Sequence, residues 1–74
     1  MAKFSDHARE RMEQRGVFDE DVERALARPL GAPLSGKGGT MWIRGHAPGG
    51  RILKVLVRAA EPDYVVTVAW EENR

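Results

Sequence analysis

The hydrophobic positions near the start of the chain repeat with helical spacing. Ala8 and Met12 are four residues apart and Phe4 lies on the same side, which predicts a helix with a narrow apolar stripe. Ser5 is the predicted N-cap of this helix, because its hydroxyl can accept an otherwise unpaired backbone N–H. Gly16 is the predicted end, since glycine takes the left-handed conformation that often terminates a helix.

A second helix is predicted immediately afterwards. Val22, Ala25 and Leu26 form its apolar face. Asp19 is its predicted N-cap, with further acids in the first turn. The helix should end before Pro29, because the residue preceding a proline disfavours the helical conformation.

The second half of the chain changes to the period-two alternation of β-strands. Leu53, Val55 and Val57 share one face of such a strand, and residues 40–44, 51–58 and 64–70 are the three predicted strands. Residues 30–39 are rich in glycine and proline and are predicted as a loop, with room for a fourth strand within residues 34–40. Residues 71–74 are predicted to be a frayed polar tail.

This order predicts one α+β domain over residues 1–74. Two N-terminal helices should pack on one face of a three- to four-stranded antiparallel sheet, because short turns join the strands. The opposite face should carry Lys54 and Arg58, with Ile52 and Leu56 between them. A half-apolar face of this kind often meets a partner or a second subunit.

Composition narrows the class of protein. A chain of 74 residues has a thin core, and its apolar runs are far shorter than the roughly 20 residues of a membrane helix. The short apolar runs and the lack of a hydrophobic signal core favour a soluble cytoplasmic protein without membrane attachment.

The charges are unevenly distributed along the chain. Net charge is only +1, yet no acid occurs between Glu23 and Glu61. That interval contains Arg24, Arg28, Lys37, Arg44, Arg51, Lys54 and Arg58. These cations form either one positive face suited to phosphates or scattered solvated side chains.

The strongest candidate for chemistry is a stripe of cationic and titratable side chains on the first helix. His7, Arg11 and Arg15 are each four residues apart and therefore neighbours; we call them the cationic stripe. A histidine can act as general acid or base, and arginines can clamp phosphate oxygens, as metal-free RNA cleavage requires. The alternative is that His7 packs at the edge of the sheet and hydrogen-bonds a strand carbonyl.

Other residues are predicted to bind nucleic acid around this stripe. Lys54, Arg58 and Arg44 would hold phosphates. Thr67 could orient a phosphate if Val66 and Val68 face the core and Val65, Thr67 and Ala69 face outwards. The aromatic residues Trp42, Tyr64 and Trp70 could stack on bases, although packing in the core or in a hairpin is the default for aromatics in so small a domain.

No cofactor and no metal are predicted. The chain has two histidines and no cysteine, so a zinc site is disfavoured. His46 lies beside a Pro-Gly-Gly turn, where exposure without a role is expected. The run from Gly31 to Lys37 has the glycine and lysine spacing of a phosphate-binding loop, but Gly38 stands where a magnesium-binding Ser or Thr is needed.

The first half of the chain also carries a family likeness. Residues 5–17 (SDHARERMEQRGV), with residues 19–22 (DEDV) and Leu26, resemble the N-terminal signature of the domain of unknown function 4258 family. The Val-Val-Thr-Val segment at 65–68 fits the family's strand-rich half but is generic. The resemblance implies a small bacterial protein, grouped with the barnase, colicin and RelE-like toxin nucleases by its helices-on-sheet fold.

Two functions are therefore expected from the sequence. One is a metal-independent, toxin-like ribonuclease or RNA-binding protein that uses His7 with Arg11 and Arg15. The other is a non-catalytic module that binds a protein or forms a homodimer through the sheet face carrying Ile52 and Leu56.

Overall fold

The computed structural model describes residues 2–71, which form two helices and five strands. In chain order they are β1 (Lys3–Phe4), α1 (Asp6–Arg15), α2 (Asp19–Ala27), β2 (Leu34–Ser35), β3 (Thr40–His46), β4 (Ile52–Arg58) and β5 (Glu61–Trp70). A single 3-10 turn, Pro48–Gly50, leads from β3 to β4.

Helix α1 begins and ends where its capping residues predict. The Ser5 Oγ accepts a hydrogen bond from the backbone N–H of Ala8 at 3.0 Å, which confirms Ser5 as the N-cap. At the other end Gly16 adopts a φ of 65°, and the Val17 N–H donates to the Met12 carbonyl at 2.9 Å. These contacts satisfy backbone groups that have no partner inside the helix.

Helix α2 starts one position away from the prediction. Its N-cap is Phe18 rather than Asp19, because the Asp21 carboxylate accepts the Phe18 backbone N–H at 3.0 Å. At the far end the helix stops at Ala27, and Leu30 then donates its N–H to the Arg44 carbonyl at 2.7 Å, which ties the chain to β3.

The sheet is larger than predicted and is mixed. Its strand order is β1-β5-β4-β3-β2, with β1 parallel to β5 and every other pair antiparallel. The predicted three- to four-stranded antiparallel sheet is therefore wrong in strand number and in one pairing. Phe4 lies opposite Val65 in β1, but two residues are too few to show a period along the chain. The fourth strand expected within residues 34–40 is the two-residue β2.

Both helices cover the same face of the sheet. Helix α1 packs on β1 and β5, and α2 packs on β3 and β4. As predicted, Leu53, Val55 and Val57 are fully buried beneath them. A Cβ on Gly45 would lie 2.5 Å from the Cα of Ala25, so only glycine lets α2 approach β3 this closely.

A β-bulge changes which residues of β5 face the core. Val57 pairs with Val65 and Leu56 pairs with Thr67, so Val66 is the extra residue. Val65 and Val68 are both fully buried, and the predicted outward position of Val65 is wrong. Strict alternation cannot anticipate this result, because the inserted residue resets the period-two pattern.

Neither helix in residues 2–71 is long and apolar enough to cross a membrane.

Candidate functional site

One face of the sheet is left without a helix in the part of the chain that the structure describes. Successive side chains along a strand point to opposite faces, and residues paired across the sheet share a face. The residues that alternate with the buried ones in β3, β4 and β5 therefore point away from the helices. We call this the uncovered face. Its central side chains are Thr40, Trp42, Arg44 and His46 of β3, Ile52, Lys54, Leu56 and Arg58 of β4, and Thr67 and Ala69 of β5.

Cations and aromatic rings lie side by side on the uncovered face. The Lys54 Nζ is 5.2 Å from the centre of the Trp42 ring, and the Arg58 Cζ is 3.9 Å from the centre of the Tyr64 ring. Leu56 lies directly opposite Trp42 and is half-buried. Such pairs hold the cations beside π-surfaces while leaving their donors able to meet a phosphate.

Arg44 has a different environment from the other predicted phosphate contacts. Its Nε and Nη2 donate to the two carboxylate oxygens of Glu71 at 2.7 and 2.8 Å. This hydrogen-bonded pairing raises the pKa of Arg44 and lowers the pKa of Glu71, against the opposing effect of desolvation. Glu71 is thus held in place, contrary to the predicted frayed tail; residues 72–74 lie outside the described residues. A bidentate phosphate would have to displace Glu71 from Arg44.

The remaining predicted contacts are distributed along the uncovered face. Lys54 pairs across the sheet with Arg44 on one side and Ala69 on the other. Thr67 lies opposite Leu56 and is half-buried, so its hydroxyl belongs to this face as predicted. Arg58 is exposed at the far end of β4, with one carboxylate oxygen of Glu61 at 3.8 Å.

The first two members of the cationic stripe are in contact. The Arg11 Nε donates to the His7 Nε2 at 3.4 Å, and the His7 side chain is exposed. The two side chains are therefore neighbours on the helix surface, as the spacing of four residues predicts. Within residues 2–71 no carboxylate forms an ion pair with either side chain.

Arg15, the third member, turns towards the sheet. Its Nη1 donates to the Val68 carbonyl at 2.6 Å, and the Trp70 indole N–H donates to the Arg15 carbonyl at 2.9 Å. The Glu71 N–H donates to the Ile52 carbonyl, so these two residues form a hydrogen-bonded pair of the β4–β5 ladder. Hydrogen-bonded and non-hydrogen-bonded pairs alternate along an antiparallel ladder, which makes Val55 and Val68 a non-hydrogen-bonded pair. The Val68 carbonyl therefore points away from β4, towards the edge of the sheet. The strand-carbonyl contact considered for His7 is thus made by Arg15.

Arg15 and the N-cap residue Ser5 bind carbonyls of β5 along the part of its edge that β1 does not cover. Ser5 Oγ donates to the Val66 carbonyl at 2.9 Å, two residues before the carbonyl that Arg15 binds. Helix α1 therefore lies along this edge and satisfies carbonyls that could otherwise pair with another strand. His7 and Arg11 precede Arg15 by two turns and one turn and lie on the same side of the helix.

Arg51 is a cation at this edge that the sequence patterns do not select. Its Cζ lies 3.9 Å from the centre of the Trp70 ring, whose N–H binds the Arg15 carbonyl. The only sequence signal is its place in the acid-free interval. Among the described residues, no group of three His, Asp or Glu side chains could hold a metal ion.

The whole arrangement lies inside one family match. Residues 4–70 match the model of the family described as Domain of unknown function (DUF4258). The chain belongs to the DUF4258 family. The match includes both α1 and the strands of the uncovered face, so these features are parts of a DUF4258 domain and not additions to it. No curated protein and no solved structure matches this chain.

Proposed function

We propose that this DUF4258 protein binds single-stranded RNA on the uncovered face and cleaves it without a metal ion. The observation that carries the proposal is the pairing of Lys54 with Trp42 and of Arg58 with Tyr64 on a sheet face that no described helix covers. Bases of single-stranded RNA stack on aromatic side chains, while cations alongside them bind the phosphates.

Charge favours a polyanion on this face. The β2, β3 and β4 strands all fall in the interval without acids, so the acids near the face come from β5 and its end. Glu71 neutralises Arg44 and Glu61 approaches Arg58, whereas Lys54 has no ion-pair partner among residues 2–71. We therefore assign the main phosphate contacts to Lys54 and Arg58, and only a secondary one to Arg44.

Cleavage is assigned to His7, with Arg11 as the phosphate clamp. The His7 Nε2 exchanges its contact with Arg11 for the ribose 2′-hydroxyl and takes the proton of that hydroxyl, whose oxygen attacks the adjacent phosphorus. The bond to the 5′-oxygen then breaks, that oxygen takes a proton from water, and a 2′,3′-cyclic phosphate and a 5′-hydroxyl are left. The imidazolium returns its proton to the resulting hydroxide, which restores the base. Arg11 stabilises the charge of the intermediate. Arg15 supports the helix end and reaches a phosphate only through donors not bound to Val68.

The expected RelE-like nuclease grouping supports the same assignment. That grouping is drawn from the resemblance of the N-terminal signature, which contains His7, Arg11 and Arg15. Chemistry resides in the site residues and not in the fold, so binding and cleavage are tested separately on the side chains assigned to each.

Binding is tested by fluorescence anisotropy of a labelled, unstructured RNA in EDTA over a range of salt concentrations. Replacing both Lys54 and Arg58 by Ala should weaken binding and reduce the slope of log K against log salt by about 1.4, since each phosphate contact on a single strand contributes about 0.7. Replacing both Arg24 and Arg28 by Ala removes two charges from exposed positions at the end of α2 and is the matched control, with the slope unchanged.

Cleavage is tested on the same RNA by gel electrophoresis and by end-group analysis of the products. We expect wild type to leave 5′-hydroxyl ends in EDTA and His7→Ala to leave the RNA intact. His46→Ala removes the only other histidine and should cleave normally. Binding without cleavage by wild type would remove the enzymatic half of the proposal, and absence of binding would remove both halves.

A second candidate is self-association through the same face. Leu34 pairs with Trp42 at the edge of the sheet and is 57% exposed, with Leu56 beside it. Sedimentation velocity distinguishes this possibility: a dimer that resists high salt and dissociates in Leu56→Lys would favour a non-catalytic module. A monomer with salt-dependent RNA affinity favours the first proposal.

A further inference from the structure

A depression on the uncovered face lies beside the turn between β2 and β3. It is lined by Ser35, Gly36, Lys37, Thr40, Trp42 and Leu56. None of the cleavage residues borders it, and the proposed phosphate contacts Lys54 and Arg58 lie outside its lining.

The shape of the depression depends on the turn. The Gly36 N–H donates to the Thr40 carbonyl at 2.9 Å, and the Thr40 hydroxyl donates to the Lys37 carbonyl at 2.6 Å. A Cβ on Gly36 would lie 2.4 Å from the Thr40 Oγ1 and 3.0 Å from the Leu56 Cδ1. A glycine therefore keeps open the space between the turn and the strand surface.

The groups around this space suit a flat aromatic ring that has hydrogen-bonding groups along its edge. Trp42 supplies an aromatic wall and Leu56 an apolar one. Because the Thr40 hydroxyl already donates its proton, it offers its lone pairs to an incoming N–H group. Lys37 is exposed, has no ion-pair partner within residues 2–71, and stands at the rim, where a phosphate attached to the ring's sugar would lie.

We propose that this depression is a nucleobase subsite, in which one base of the bound RNA stacks on Trp42. The Thr40 hydroxyl accepts a hydrogen bond from the base, and Lys37 binds the neighbouring phosphate. The assignment rests on the proposed RNA binding and adds a preference. Adenine and cytosine present an exocyclic amino group whose N–H the Thr40 oxygen can accept. The donor on the uracil edge is N3–H, and the two carbonyls that flank it repel the lone pairs of the Thr40 oxygen. Oligo(A) and oligo(C) should therefore bind more tightly than oligo(U).

The two tryptophans of the chain make the subsite directly observable. Trp42 is on the uncovered face, while Trp70 lies opposite buried Leu53 and under Arg51. In Trp70→Phe, Trp42 is the sole tryptophan, and we expect oligo(A) to quench its fluorescence in parallel with the rise in anisotropy of a labelled RNA. Trp42→Phe should show no quenching. If Trp70→Phe fails to fold by circular dichroism, the difference between wild type and Trp42→Phe gives the same readout.

Affinity measurements separate the subsite from general RNA binding. Trp42→Ala should weaken oligo(A) binding about 5- to 150-fold, the range expected for loss of one stacked base. Gly36→Ala should weaken oligo(A) binding because its methyl group enters the space beside Thr40. RNA binding with no quenching of Trp42, or equal binding of oligo(U) and oligo(A), would overturn the subsite. RNA binding that is still weakened by replacing Lys54 and Arg58 would, in that case, keep the uncovered face as the RNA-binding surface. No RNA binding would overturn both.

Discussion

The contact between α2 and β3 gives a sharp prediction about stability. Gly45 lies opposite fully buried Leu53 and faces α2. In Gly45→Ala the new Cβ would be 2.5 Å from the Cα, 2.7 Å from the Cβ and 2.9 Å from the carbonyl oxygen of Ala25. Two of these atoms are backbone, so no side-chain rotation relieves the clash. Carbon atoms pack at about 3.5–4.0 Å, and α2 must therefore retreat from the sheet by about 1 Å.

The size of the effect follows from two opposing contributions. Overpacking a well-packed core costs about 1–3 kcal/mol. Replacing glycine by alanine also lowers the conformational entropy of the unfolded chain, which raises the free energy of unfolding by about 0.4–1 kcal/mol. Because the clash is with backbone atoms, the overpacking cost lies in the upper half of its range, at about 2–3 kcal/mol. We therefore expect Gly45→Ala to lower the free energy of unfolding by about 1–2.6 kcal/mol. For a domain of this length the Tm should fall by about 4–21 °C.

Thermal unfolding followed by far-ultraviolet circular dichroism measures this change. Gly36→Ala is the matched control, because neither glycine has a positive φ and the unfolded-state contribution is the same. The nearest atom to its new Cβ is the Thr40 Oγ1, the end of a side chain that can rotate, so the loss should be smaller. A Tm for Gly45→Ala equal to or above that of wild type would refute the close packing of α2 on β3.

Three further predictions concern the site. His7→Ala, which we expect to abolish cleavage, should change the free energy of unfolding by less than about 0.5 kcal/mol in chemical denaturation, because the ring is exposed. Arg15→Ala should cost about 1 kcal/mol in the same assay, because it removes the charged donor to the Val68 carbonyl; stability equal to that of His7→Ala would contradict this role. Glu71 has a pKa lowered from 4.5 by its hydrogen bonds to Arg44, so its stabilising contribution is present above pH 4.5 and is lost as the pH falls through the lowered value. The Tm advantage of wild type over Glu71→Gln should therefore shrink on acidification below pH 4.5, and a constant difference would exclude this explanation.

The local features of the fold were predictable because they depend on near neighbours in the chain. Ser5 and Gly16 cap α1 within a few residues of themselves, and the apolar spacing of both helices needs no distant partner. Alternation likewise predicts that Leu53, Val55 and Val57 are buried. The side on which Lys54 and Arg58 lie then follows from the same period of two.

The sequence by itself therefore determined the helices, the main strands and the side of the sheet on which most of the candidate site residues lie. Only the tertiary structure decided the parallel pairing of β1, the bulge at Val66 and the partners of the arginines. Arg44 binds a carboxylate 27 residues away, and Arg15 binds a carbonyl 53 residues away. Contacts over such separations form when the chain closes on itself, so whether an arginine meets an acid, a carbonyl or solvent cannot be read from its neighbours in sequence.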